Sequence, residues 1–363
     1  MFAARHLHPT ATELLPALRR RRREVWPLRR RGADLGHAVV VDRTPPTPRE
    51  AAQRWRAAAA VFLPGMLGDR PRQFAAPIAS SLAMFERLRR GGALIDELTQ
   101  RLASDNRFAY VGRTRPCPDP RDVEFVVVEA VDGDEVVAPN LWAKLAMIAP
   151  GRDRSLRIRF AAGTDQYEQW MATTSLQAGW VDVFARSAFR ECDAVLGCRA
   201  LRRTLDALLQ RPHRLSERIL YNNAPDGGAV FHHDAEPGQL GVVFSQLQGR
   251  TGWLALPKLR LADLLVRAGH AKDRRRALLA LDDNDERLLP VLNRDADFTA
   301  LVAAHGGLFV LEAGDCILLP SHSIEQVTWH SVIGLGDEPS LAHSYGLFPA
   351  DGDYPLAGDP FRR

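Results

Sequence analysis

The residues best suited to chemistry are His232 and Asp234, in Phe231-His232-His233-Asp234, and His330, in Thr328-Trp329-His330-Ser331-Val332. Along a β-strand, residues i and i+2 point to one face. His232 and Asp234 therefore converge, and His233 faces away. An imidazole from a distant strand completes two histidines and one carboxylate on one side of a metal. That set leaves coordination positions open and is the facial arrangement of oxygen-activating non-haem Fe(II). Alone, a His-x-Asp tripeptide is a weak signal, because such pairs are more often surface hydrogen bonds.

The flanking pattern positions these residues. Residues 217–222 read as a strand entering the His-x-Asp turn. After Asp234 come strand, tight Gly turn and strand, ending at Pro257. Residues 311–320 read as a turn feeding a buried strand, His330 opens another, and residues 341–348 supply one more. Upstream, strands begin near Phe108, with further ones at 122–129, 141–148 and 156–160. In the last, Arg157 and Arg159 share one face. Residues 48–62, 76–104, 174–190 and 199–210 read as helices, and 10–31 as an amphipathic helix with a second basic segment. Residues 259–304 switch to helical spacing and interrupt the two halves of the candidate site. Such an insertion is expected near the site, as a lid or as a subunit contact that would make a homodimer.

Four pieces in order carry a resemblance: His232/Asp234, Gln246-Leu247-Gln248-Gly249-Arg250-Thr251, Gly314-Asp315 through Pro320, and His330. Together they resemble the JmjC/cupin-like branch of the Fe(II)- and 2-oxoglutarate-dependent oxygenases, over residues 218–348. The resemblance implies an α+β fold: a double-stranded β-helix, the jelly-roll barrel of cupins, with N-terminal helices and a helical insertion. It implies Fe(II) held by His232, Asp234 and His330 at the barrel mouth, 2-oxoglutarate as cosubstrate and molecular oxygen as oxidant. His322, two residues after Pro320, competes for the distal position, but the Trp-His-x-Val context of His330 is closer to the family signature. Halogenating relatives lack the carboxylate, so Asp234 points to hydroxylation or desaturation.

Thr251 stands where the family often has the cation that binds the distal carboxylate of 2-oxoglutarate. Burying that carboxylate unpaired would cost several kcal/mol. Lys144, Arg157 or Arg159 is expected to supply the charge beside Thr251, with Tyr221, Asn222, Gln246 and Ser344 as hydrogen-bonding neighbours. The alternative is a cupin-type metalloprotein that does not use 2-oxoglutarate. The substrate is expected to be a peptide, a protein or a natural-product-type small molecule.

Composition sets the frame. The chain has 363 residues, 46% of them hydrophobic, enough for a substantial core. Its expected organisation is a mostly helical region with a basic arm (1–107), the oxygenase domain (108–350, with the insertion at 259–304) and a tail (351–363). No apolar run reaches about 18 residues, so no membrane span is expected. Arg19 to Arg23 interrupt any signal-peptide core. An Arg-rich start also fits a transit peptide, but a cytoplasmic enzyme is the simpler expectation. The four cysteines lack C-x-x-C spacing, which argues against structural zinc. Residues 1–31 hold nine arginines against Glu13 and Glu24. Without aromatic–basic interleaving this arm reads as a solvated face, and nucleic acid is not an expected partner.

Overall fold

Strands apolar on both faces must be covered on both sides, and the C-terminal half of the chain is built from such strands. The computed structural model describes residues 24–40, 43–114, 120–149, 153–163, 175–236 and 238–350. The Arg19–Arg23 cluster, Cys117 and the tail 351–363 lie outside them. The strands are β1 (Glu24–Arg30), β2 (Ala33–Val40), β3 (Val61–Leu63), β4 (Phe108–Thr114), β5 (Asp122–Asp132), β6 (Glu135–Met147) and β7 (Leu156–Ala162). They continue as β8 (His213–Asn223), β9 (Gly241–Gln248), β10 (Arg250–Pro257), β11 (Leu308–Glu312), β12 (Cys316–Pro320), β13 (Thr328–Leu335) and β14 (Ser340–Pro349).

The fold mixes helices with large antiparallel sheets. One sheet has the order β3-β12-β9-β14-β8-β7-β6-β5-β4, a second the order β11-β10-β13, and β1 and β2 form a hairpin. From β8 onward the chain passes back and forth between the first two. Val242, Phe244, Trp253, Ala255, Ile317, Leu319 and Val332 fill the space between them. The outer face of the large sheet is covered by the helices Ala75–Arg89, Leu94–Leu102 and Ser175–Ala188. No helix among the described residues is long and apolar enough to cross a membrane.

Residues 258–304 form the helices Lys258–Arg267, Arg274–Asp282, Leu288–Arg294 and Ala296–Ala304. They pack on Leu254, Leu256 and Trp329, the outward side chains of β10 and β13. These helices cover the back of the small sheet, because its outer positions are apolar and need covering, and they also pack against Phe231, next to His232. The amphipathic helix expected over 10–31 is corrected where the structure describes it. Residues 24–30 are a strand in which Leu28 and Arg30 are buried and Arg29 exposed, an alternation of period two. Similarly, the helix expected over 48–62 ends at Arg56, and Val61–Leu63 pairs with β12.

Candidate metal centre

His232 and His330 come from segments almost a hundred residues apart and face each other as an isolated antiparallel bridge. Each backbone N–H donates to the other's carbonyl, at 2.9 Å from His232 and 2.8 Å from His330. The segment leading to His232 has no strand of its own and lies hard against β13. Gly334 permits this approach, since a Cβ there would stand 2.1 Å from the Ala224 carbonyl oxygen.

The three side chains converge. Asp234 Oδ1 is 3.3 Å from His232 Nε2, and Asp234 Oδ2 is 3.5 Å from His330 Nε2. One donor atom from each residue lies within 4.8 Å of the other two. Donors about 2.1 Å from one ion at right angles are about 3 Å apart, so two of these edges already approach a shared coordination sphere. His232 Nδ1 donates to the Val230 carbonyl at 2.8 Å, which turns Nε2 toward Asp234. His330 is buried, while His232 and Asp234 are about one-third exposed (37% and 34%), which opens one side of the cluster.

The electrostatics suit ligation. Burial, then the neighbouring His232, pushes the His330 imidazole down to about 3. Burial works against the Asp234 charge, but His330 and His232 outweigh it and hold the carboxyl well below its usual range. Burial also opposes charge on His232, yet Asp234 keeps that imidazole above its ordinary value, so a cation bound there must displace its proton. A carboxylate and a neutral imidazole are the forms a divalent cation requires. The donor set therefore fits a metal ion. His233 points away and packs against Trp329. His322 is remote from the cluster, with its Nε2 2.7 Å from the Trp55 carbonyl oxygen.

Beside the cluster, a chamber between the sheets has a polar wall of Tyr221, Asn223 and Ser344. Its apolar wall is Val242, Phe244, Trp253, Leu319 and Val332. The free space is about 20 Å³, about that of a single water. Trp253 is part of this wall. Its indole stacks on the His330 ring (centroids 5.4 Å apart, planes 19°) and meets Phe244 at 4.5 Å.

The remaining sequence candidates separate into groups. Thr251 Oγ1 donates to Gln246 Oε1 at 2.8 Å and accepts from Trp253 Nε1 at 3.0 Å. Gln246 Nε2 in turn donates to the Gln248 and Leu341 carbonyls. Thr251 and Gln246 thus form a buried network whose hydrogen bonds go to protein groups. Asn222 alternates with the chamber-lining Tyr221 and Asn223, and donates to the Ser340 carbonyl. Ser344 lines the chamber, whereas its neighbours His343 and Tyr345 lie on the other face of β14, near Cys192.

The cations stand on the extension of the chamber-facing sheet surface. Arg157 is directly opposite Tyr221 in the β7–β8 register, and Arg159 is opposite Lys144 in the β6–β7 register. Burial, then the Asp234 charge, pushes the Tyr221 hydroxyl up to about 12, with Arg157 pulling the other way through its charge and a hydrogen bond. Arg159 lies 3.8 Å from Glu236, and Lys144 lies 3.5 Å from Asp122. Sequence reasoning missed the chamber roles of Phe244 and Trp253. Their signal was the alternation of β9 and β10, which puts both on the face of Gln246 and Thr251. A larger cavity, about 860 Å³, lies by the helix Arg199–Leu209 and the start of β8. Its Arg186 is paired with Asp193 and its Arg218 with Asp182, and among the described residues it holds no comparable donor cluster.

No family model matches the sequence, and no curated protein matches it. Among solved structures, it is similar to the non-haem α-ketoglutarate-dependent epimerase SnoN from nogalamycin biosynthesis, at 15% identity over 84% of this chain and 83% of that one, TM-score 0.35. SnoN has also been solved with Fe3+, α-ketoglutarate and nogalamycin RO. The carbocyclase SnoK from the same biosynthesis is 14% identical over 87% and 91% of the two chains, TM-score 0.36. The ribosomal oxygenase YcfD from Escherichia coli is 17% identical over 71% and 43%, TM-score 0.27. These likenesses are distant, and the chemistry below rests on the residues of this chain.

Proposed function

We propose that the chain is an Fe(II)- and 2-oxoglutarate-dependent oxygenase on a double-stranded β-helix, hydroxylating a peptide, a protein or a natural-product-type small molecule. The observation that carries this reading is the convergence of His232, Asp234 and His330 on one side of an open edge. The back-and-forth passage of the chain between two facing sheets supports the barrel assignment. Bound Fe(II) would let oxygen act as the oxidant with 2-oxoglutarate as two-electron co-reductant: one oxygen atom would go to succinate as CO2 is lost, and the other into a C–H bond of the substrate.

The residues of the chain would divide the remaining work. His232 and His330 present Nε2 lone pairs, and Asp234 adds negative charge, so a divalent ion is held with positions left open. The Val230 carbonyl fixes the ring orientation of His232. Trp253 and Phe244 exclude water behind His330. The polar wall of Tyr221 and Ser344 is the side able to receive an anionic cosubstrate, with Arg157 behind Tyr221 for its distal carboxylate. In this reading Thr251 and Gln246 shape the chamber from behind Trp253, and Arg159 and Lys144 add positive potential.

Two observations favour the second reading, a cupin-type metalloprotein that does not use 2-oxoglutarate. Thr251 is already committed to Gln246 and Trp253, and the chamber is only about 20 Å³. Succinate release separates the two readings. The oxygenase converts 2-oxoglutarate to succinate only with Fe(II) and oxygen present, and Asp234→Ala abolishes this. An iron-loaded protein that binds no 2-oxoglutarate and releases no succinate belongs to the second reading.

A further inference from the structure

Arg30 ends β1 at the tip of the first hairpin and is only 2% exposed. No carboxylate forms an ion pair with it among the described residues, so its charge must be satisfied by neutral acceptors. Its NH1 donates to Asn293 Oδ1 at 2.7 Å, and its NH2 donates to Ser331 Oγ at 2.7 Å and to the Val332 carbonyl at 3.2 Å. Asn293 belongs to the insertion helix Leu288–Arg294. The same Oδ1 accepts the backbone N–H of Phe231 at 2.8 Å. Phe231 immediately precedes His232, and Ser331 immediately follows His330. One guanidinium therefore ties the residue before one imidazole to the residue after the other, through a side chain from a third element.

The neighbouring residue extends this hold. Arg31 pairs with the buried Asp153 at 2.7 Å, donates to the Gly228 carbonyl at 2.8 Å, and gives its backbone N–H to the Asp226 carbonyl. Asp153 also accepts the Gly228 N–H at 2.9 Å. The segment 226–231 has no regular strand structure, so contacts like these fix its path. A buried cation with no ion-pair partner is costly, and burial, then the Arg31 charge, pulls the Arg30 guanidinium down to about 9, with the Asp153 charge offsetting this only in part. Stapling the hairpin would not require such a group, because Leu28, Leu35, Ile333 and Leu335 already supply an apolar seam there.

We infer that Arg30 and Asn293 are positioning residues for the metal centre: they set the separation of His232 and His330 by clamping their backbone neighbours from behind the small sheet. This rests on the reading of His232, Asp234 and His330 as metal ligands. It makes the hairpin and the insertion parts of the metal site, although neither supplies a ligand.

The test uses the full chain with Co(II) as the probe metal, read by its visible ligand-field spectrum and by titration. The wild type is measured first; if it takes up no Co(II), the metal reading fails and the inference falls with it. Arg30→Lys keeps the charge but not the fork that spans Asn293 and Ser331, and Asn293→Ala leaves the Phe231 N–H without its acceptor. Both variants should bind Co(II) about 10-fold to 100-fold more weakly, with a shifted spectrum and an unchanged far-ultraviolet dichroism. Should Arg30→Lys fail to fold, Asn293→Ala and Ser331→Ala carry the test. Folded variants with the affinity and spectrum of the wild type would overturn the proposal and leave Arg30 a purely structural contact.

Discussion

Replacing Trp253 tests the packing behind the metal site and the direction from which a cosubstrate arrives. The indole is 1% exposed and contacts His330, Phe244 and Thr251. Trp253→Ala removes a fully buried aromatic side chain, a change that costs about 3–5 kcal/mol in transfer and cavity terms. The lost indole hydrogen bond to Thr251 adds about 1 kcal/mol. The total is a large part of the roughly 5–15 kcal/mol that keeps a domain folded. Trp253→Phe keeps most of the packing and loses mainly the hydrogen bond and part of the stack, about 1–2 kcal/mol. Urea unfolding at fixed metal concentration measures both. Calorimetric titration of 2-oxoglutarate into the Zn(II)-loaded Phe variant measures the second point. If the cosubstrate enters along Tyr221 and Arg157, its affinity stays within about threefold of wild type. A loss below about 1 kcal/mol for Trp253→Ala would refute the packing argument. A gain of about tenfold or more in 2-oxoglutarate affinity in Trp253→Phe would show that the indole sits in the cosubstrate's place.

Three further outcomes follow from the same geometry. Arg157→Ala should weaken 2-oxoglutarate binding to the Zn(II)-loaded protein by about tenfold or more, the loss of one charge-assisted hydrogen bond; an unchanged titration would remove Arg157 as the anchor. Thr251→Val strands Gln246 Oε1 and Trp253 Nε1 and should cost about 1–3 kcal/mol in urea unfolding, with metal content unchanged. His322→Ala should retain metal by elemental analysis while His330→Ala loses it, and the reverse pattern would reassign the distal ligand.

Much of the site was legible because period-two alternation fixes which side chains share a face. That rule puts Arg157 beside Arg159 on β7; His232 and Asp234 also converge with His233 turned away, although only a single bridge at His232, and no strand, holds that segment. The separation of His330 from His322 needed local context, since both follow Pro320; in space, the bridge to His232 and the Trp55 carbonyl distinguish them. Alternation could not reveal how far a side chain reaches, so the stacking of Trp253 on His330 was hidden. Helical spacing identified helices over 259–304 but not the face they cover. Leu254, Leu256 and Trp329 carried that information, because outward apolar residues on β10 and β13 require a covering layer. The first hairpin was obscured by arginine: Arg30 is buried by hydrogen bonds to distant residues, which no local pattern encodes.

The central claim is that His232, Asp234 and His330 hold one Fe(II). Anaerobic titration of Fe(II) into the metal-free full chain, with bound iron counted per chain, tests it most directly. The account predicts one tightly bound iron per chain in the wild type, and none in a folded Asp234→Ala variant. Stoichiometric iron retained by folded Asp234→Ala, or no iron bound by the wild type, would contradict it.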